Sequence, residues 1–554
     1  MPLRRLKIHG GLYLLYVLFF TVGILLIPFL YDRPGIVQLA LAVTSAVGLV
    51  YFGDSRVLIG WIHRRNLRVS ILLFTGIILS LVSIPHHGSF YFSDDAIRHI
   101  HDGHALLNGV DVYGVPPAER AAVLNRLPNH PELGTIYFPF TQLQALAGAF
   151  LDRCCLQSSA RVNGTAHDWL QTQVRGYQLS GFFMVYAFVV LAGLLLIVRY
   201  ASPRLLARAI FLLLSPIMLI VLCSHHADGQ ALILIVAIFS MAGFRPRRIG
   251  MQGQLKVDSK NAHYLSGSNE NRNADAVPVG LQFKLFVRRV RSARPTLIVS
   301  LGVCIGLLVG LKPEAIGWFG LLVIMLMILC FRYGKEFGLR KGILIVLLTV
   351  GLVVIAQLYP AWIYLRRFPD AWHALLGTGR FFADWFVAYN PGVHVLSHWF
   401  SLSTANQIWR TGVLISGLFC ISLIGYKYFV NRQAMRNQGI TAIPNTGPDG
   451  LWVQIALIML GTIILSRGVW HPWYFLNFIP LGLLFFKKGT AVLLSCLLLF
   501  YVPVAELRVE GHWEMHEFYF SIVGFFLLWI FLTGEGMLAS VMRWLPVNPF
   551  DRKK

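Results

Sequence analysis

Two adjacent carboxylates, Asp94 and Asp95, stand near the start of the polar stretch YFSDDAIRHIHDGHALLNGVDVYGVPP, which runs from Tyr91 to Pro117 directly after a long apolar segment. Paired acids at such a boundary suit general-base chemistry, since a carboxylate there can take a proton from a hydroxyl. A helix end favours its ionised form and lowers its basicity; a second acid or a phosphate nearby restores it. Ser93 is placed to cap a helix that begins with Asp94 and Asp95. Ile97, Ile100 and Leu107 follow at helical spacing, and Gly109 is able to close the helix in the left-handed conformation. A purely structural reading stands beside this one. Acids in a first turn complement the helix dipole, and Asp94–Arg98 and Arg98–Asp102 have the spacing of stabilising ion pairs.

Three further stretches carry groups able to act on a substrate. SHHADGQ holds His225, His226 and Asp228. These side chains cannot all point one way on a helix and no HxxxH pattern accompanies them, so no metal is expected. Holding a substrate, or buried hydrogen bonding for at least one histidine, fits better. Lys312 lies between two apolar runs, where an unpaired charge is costly. It either serves an anion, snorkels to the headgroups or pairs with Glu314. RGVWHPWY brings Arg467, His471, Trp473 and Tyr474 together. An aromatic belt at an interface explains the tryptophan and tyrosine as well as a site does, but explains Arg467 and His471 less well. GTGRFFADWFVAYNP adds Arg380 and Asp384 among aromatics, either a sugar-binding surface or an interfacial helix capping a cavity.

The elements that must position these residues belong to a membrane. Of 554 residues 56% are hydrophobic and 13% charged, and the mean hydropathy is +0.64. The apolar residues form continuous runs long enough for helical spans, which excludes a β-barrel. We place about fourteen spans on a twenty-residue criterion, near 11–30, 35–52, 69–84, 178–198, 206–223, 229–243, 296–311, 315–331, 342–359, 411–429, 451–466, 475–486, 489–504 and 519–536. The first is read as a retained span, lacking a clear cleavage site. The fold expected is therefore an all-α polytopic bundle forming a single integral membrane domain over 1–554.

Charge orients the bundle. The net charge of +23 does not mark a nucleic-acid partner, because lysines and arginines gather in alternate links: Arg4 and Arg5, Arg56 to Arg68, Arg199 to Arg208, Arg332 to Lys341, Lys427 to Arg436 and the terminal DRKK. That side is cytoplasmic by the positive-inside rule, with both termini and a flexible basic loop over 244–295. The opposite side carries most acids and two long loops, about 85–177 and 360–410. The seven cysteines are mostly in apolar runs and form no disulfide framework.

SDDAIRHIHDGHALLNGVDVYGVPP resembles the first-loop motif of the polytopic C-type (GT-C) glycosyltransferases, most closely the polyprenyl-phosphate-mannose-dependent mannosyltransferases, although Val112 stands where proline is usual. SHHADGQALILIVAIF, GLLVGLKPEA and VWHPWYFLNFIPLGLL resemble three later segments of that family, in the same order, with Ala227 in place of an asparagine. The resemblance implies a GT-C-like bundle of about eleven to fourteen spans whose large outer loops carry interfacial helices. It implies hexose transfer, mannose favoured, from a polyprenyl-phosphate donor to a glycan or glycolipid acceptor, with inversion and no cofactor. Asp94 or Asp95 would be the base, with Asp94 favoured as the one nearer the membrane exit; Lys312, Arg380, Arg467 and His471 would meet the donor phosphate, and His225, Asp228, Trp473 and Tyr474 would hold substrate. The site would face the periplasm across a cell inner membrane. Transfer of another sugar, an O-antigen polymerase or ligase, and a lipid-linked glycan flippase are the competing readings. A transporter would be expected to show inverted repeats and midplane charges, and neither is seen.

Overall fold

The computed structural model describes residues 95–120, 127–163, 181–242, 295–311, 322, 337–384, 390–437 and 458–470, with short gaps inside several ranges. Helices α1 (Asp95–Leu107), α2 (Pro139–Asn163), α3 (Gly181–Tyr200), α4 (Ala227–Ala242), α5 (Pro295–Val309), α6 (Phe337–Arg367), α7 (Ala371–Asp384), α8 (Pro391–Leu396) and α9 (Leu402–Asn437) follow in order, with a 3-10 turn at Pro117–Glu119. The described residues contain no strand. Among the described residues three helical segments are long and apolar enough to cross a membrane: Gly181–Tyr200, Arg340–Arg367 and Leu402–Val430. They coincide with the spans expected at 178–198, 342–359 and 411–429.

Helices α4 and α5 are shorter, at 16 and 15 residues. At about 1.5 Å per residue each measures roughly 22–24 Å, less than the roughly 30 Å of a bilayer's apolar core. Every residue of α4 is buried, the expected state of a helix that is apolar on all sides. Helix α6 is the opposite case. Its 31 residues reach about 46 Å, and it continues through Pro360 to Arg367, where the sequence suggested that a loop begins. Residues 360–367 therefore belong to a long helix end that projects toward the first loop, and α7, α8 and the start of α9 occupy most of the rest of 360–410.

The contacts fix relative directions. Tyr186, early in α3, donates its hydroxyl to the His226 carbonyl just before α4, while Gly193, further along α3, faces Ile233 further along α4. These two helices run parallel. Gly302, Gly306 and Gly310 face Thr349, Val353 and Gln357 in turn, so α5 and α6 are parallel as well. Parallel neighbours need a return segment between them; the expected span 315–331 and most of 206–223 lie outside the described residues.

At one end of these helices sits the first loop. Helix α1 packs along α2, and its close approach depends on Gly103, where a β-carbon would run into the Ala145 carbonyl. The start of α2 rests on the end of α5: Phe140 and Thr141 donate their N–H groups to the Gly310 carbonyl at 2.9 and 3.1 Å. The Thr141 hydroxyl donates to the Leu311 carbonyl at 2.8 Å. Spare donors of one helix thus meet spare acceptors of another, so neither is left bare in an apolar interior.

Candidate active site

Helix α1 ends as its sequence suggests. Gly109 has φ +72°, the Val110 N–H bonds the Ala105 carbonyl and the Gly109 N–H bonds the Leu106 carbonyl, the pattern of a left-handed helix stop. Its surroundings differ from a helix lying on a surface. Ile97, His99 and Asp102 are fully buried, and Arg98, Ile100, His101 and Ala105 nearly so. Arg98 donates to the carbonyls of Leu133 and His130 at 2.9 and 2.8 Å. The His130 backbone is in the left-handed region, φ +48°.

One turn further, Asp102 pairs with Arg120 at 2.6 Å, with side-chain exposures of 0% and 3%. Gln142 donates to the other Asp102 oxygen at 3.2 Å and to Thr135 at 3.0 Å. Arg120 also donates to the carbonyls of Val115 and Val112, both at 2.7 Å. One buried guanidinium thus folds the Gly109–Pro117 segment over α1 and neutralises its carboxylate. Such a pair stands only when its remaining donors and acceptors are met, and here they are. The Asp111–Tyr364 contact and the bond from the Val112 N–H to the Tyr364 hydroxyl, 2.6 Å, tie the segment to the projecting end of α6. The Tyr113 hydroxyl, held protonated by burial, donates to the Tyr137 carbonyl at 2.9 Å.

The central cluster lies at the start of α1. Asp95 Oδ2 is 2.7 Å from His226 Nε2, and His226 Nδ1 is 3.0 Å from Asp228 Oδ2. The ring is 2% exposed and Asp228 4%, whereas Asp95 keeps 18%. A buried imidazole therefore bridges two carboxylates, and the outer one reaches the surface. Both nitrogens donate at once only when the ring carries two protons; a neutral ring needs the missing proton on a carboxylate. The Asp228 N–H also lies 3.3 Å from Nδ1, a bond open only when Nδ1 carries no proton. Residue 225 turns the chain into this geometry with φ +52°, a strained value for a histidine. His99, on α1 one turn after Asp95, is wedged against Tyr137 and Phe182, at ring distances of 4.3 and 5.0 Å. Neither of its ring nitrogens has a hydrogen-bond partner. Burial lowers its pKa to about 4, against the opposing pull of Asp95 and Asp102.

Comparison with protein-family models, with curated proteins and with solved structures finds no match.

Of the expected site residues, the described structure joins Asp95 and Asp228, through a histidine that sequence reasoning left outside the site. His226 sits beside two of the chosen residues, and only its bridging role was hidden. His225 is buried, stacked on Phe183 at 4.1 Å and edge-on to Tyr186 at 5.1 Å. Leu311, next to Lys312, is fixed to α2 as above. Arg380 is exposed on α7, and its neighbour Phe381 lies 6.3 Å from the His130 ring. The Arg467 carbonyl accepts from Asn390 at 2.7 Å. Nearby, Trp409 donates to the Leu465 carbonyl at 2.9 Å. Asp94, Lys312, His471, Trp473 and Tyr474 lie outside the described residues. No group of three or more metal-ligating side chains is arranged to hold a metal ion among the described residues.

His99, Arg120 and Gln142 were not foreseen as part of this neighbourhood, and Arg98 and Asp102 were foreseen only as ion-pairing residues of the helix, whereas Asp102 pairs with Arg120 and Arg98 holds two carbonyls. For His99 a signal existed, its four-residue spacing from Asp95 on one helix face. For Arg120 none did, because its partner is eighteen residues away across a turn.

Proposed function

We propose that the chain is a membrane glycosyltransferase that moves a hexose from a polyprenyl-phosphate donor to a hydroxyl of a glycan or glycolipid. Mannose is the favoured sugar. The observation that carries the reading is the Asp95–His226–Asp228 cluster, a partly exposed carboxylate backed by a buried imidazole at the end of apolar helices. A phosphate is already a good leaving group, so the protein must supply a base and a cationic surround. Asp95, with Asp94 beside it, is the base in this reading. Lys312, Arg380, Arg467 and His471 are the candidate cations for the departing phosphate. The acceptor O–H bond breaks toward a carboxylate as its oxygen bonds the anomeric carbon. The carbon–phosphate oxygen bond leaves with its electron pair, which inverts the centre. The site faces the non-cytoplasmic side of a cell inner membrane, with both termini in the cytoplasm.

The test is a transfer assay of the full chain in lipid vesicles with a panel of polyprenyl-phospho-sugars and hydroxyl acceptors, followed by determination of the product's anomeric configuration. Transfer from one donor class with inversion is expected. Movement of a lipid-linked glycan across the vesicle without a new glycosidic bond would replace this reading by transport.

A further inference from the structure

We infer that His226 and Asp228 are positioning residues for the Asp95 carboxylate, and that this three-residue line sets the pH at which the base works. The inference rests on the proposed transfer reaction and adds residues that the reaction alone does not require. Asp95 is the exposed member of the line, and His226 stands behind it, just before α4, a helix with no exposed residue. A carboxylate at the first residue of a helix is otherwise free to choose among rotamers. Here a 2.7 Å bond to a ring that is itself held at 3.0 Å by Asp228 fixes the choice.

The groups around the ring agree with this role. From α1 come Asp95 and His99, from α4 Asp228, and from α3 the Tyr186 hydroxyl, which holds the His226 carbonyl at 2.8 Å. His225 adjoins on the chain. Arg98 and Asp102, also on α1, act on the neighbouring His99. His99 is too desolvated to take a proton near neutrality, and His226 is the imidazole within hydrogen-bond distance of Asp95. A donor on Oδ2 favours the ionised carboxylate, the form a base needs. In the transfer step the acceptor's proton passes to the Asp95 carboxylate, and His226 keeps its bond to that carboxylate throughout.

The experiment uses the full chain in vesicles and compares His226→Gln, His226→Phe and Asp228→Asn with wild type. The readouts are kcat, acceptor KM and the acid limb of the pH–rate profile. Gln retains a donor, so His226→Gln should lose about tenfold or less in kcat, the order of one hydrogen bond. His226→Phe removes a charge-assisted bond and should lose about a hundredfold. Its acid limb should move to higher pH, with acceptor KM little changed. Asp228→Asn should fall between the two and shift the limb in the same direction. If His226→Phe does not fold, the Gln and Asn variants decide alone. Variants that share the wild-type acid limb overturn the inference while leaving the transfer reading intact. Wild-type protein that transfers no sugar overturns that reading, and the inference with it.

Discussion

The first loop and the region from α7 to α9 have similar compositions, with histidines, arginines and aromatics in both, yet they are built differently. In the first loop, Arg98, Asp102, Arg120 and Gln142 are buried, and each has a named partner. In the second, Trp372, Leu376, Trp399 and Phe400 are exposed, as are Leu418 and Phe419 along α9. His394, half-buried, and His398, exposed, lie ring to ring at 5.3 Å. The lesson is that polar residues locate chemistry only where their burial forces a single arrangement. A buried charge must be paired, and pairing fixes geometry; an exposed one is screened and free to move.

That contrast is open to attack by substitution. Arg120→Ala should have the largest effect, because it leaves Asp102 buried without its cation and strips two carbonyls of their donor. A loss of about 3–5 kcal/mol is expected, read as loss of folded protein or a large fall in denaturation midpoint in detergent. Arg380→Ala, its counterpart on the exposed face of α7, should leave that midpoint unchanged. Equal effects from the two would erase the distinction.

His99 sharpens the same point through pH. Its pKa is about 4 in the folded chain against an ordinary 6.5. As pH falls through that window the unfolded chain binds a proton that the native state refuses, so stability is present above it and declines within it. The slope contributed approaches about 1.4 kcal/mol per pH unit. Denaturation at pH 7, 6 and 5 should show this decline in wild type and less of it in His99→Phe. An identical slope in both would mean that this imidazole is not buried as described.

Smaller effects follow at the edges. Gly109→Ala forces a side chain into the left-handed region against the Arg367 guanidinium, and should lower stability by about 1 kcal/mol or somewhat more, measured by the same denaturation. Least of all, Arg380→Ala should raise the apparent donor KM about two- to threefold, the scale of an exposed charge contact. A tenfold rise would move α7 into the site proper.

Local chemistry was legible in the sequence and remote partnership was not. The left-handed stop at Gly109 is a local property, as are the apolar lengths of α3, α6 and α9. The extension of α6 to Arg367 was hidden because Pro360 ordinarily ends a helix, although helices in apolar surroundings tolerate it. The helix expected to begin with Asp94 and Asp95 and to close at Gly109 has an amphipathic pattern, but its polar face meets Arg120, Gln142 and His226 in place of water. Nothing in the pattern distinguishes a polar face turned to solvent from one turned to other polar residues. Asp95 and Asp228 were legible as candidates because acids are rare in so apolar a chain. Their junction through His226 depends on the parallel packing of α3 and α4, which no short stretch encodes.

The most direct measurement compares transfer rates of wild type, Asp95→Asn and Asp94→Asn at saturating donor and acceptor, in protein of matched folding. A general base contributes about a hundred- to ten-thousandfold, so Asp95→Asn should lose activity in that range. An Asp95→Asn protein that folds and turns over at the wild-type rate would contradict the account.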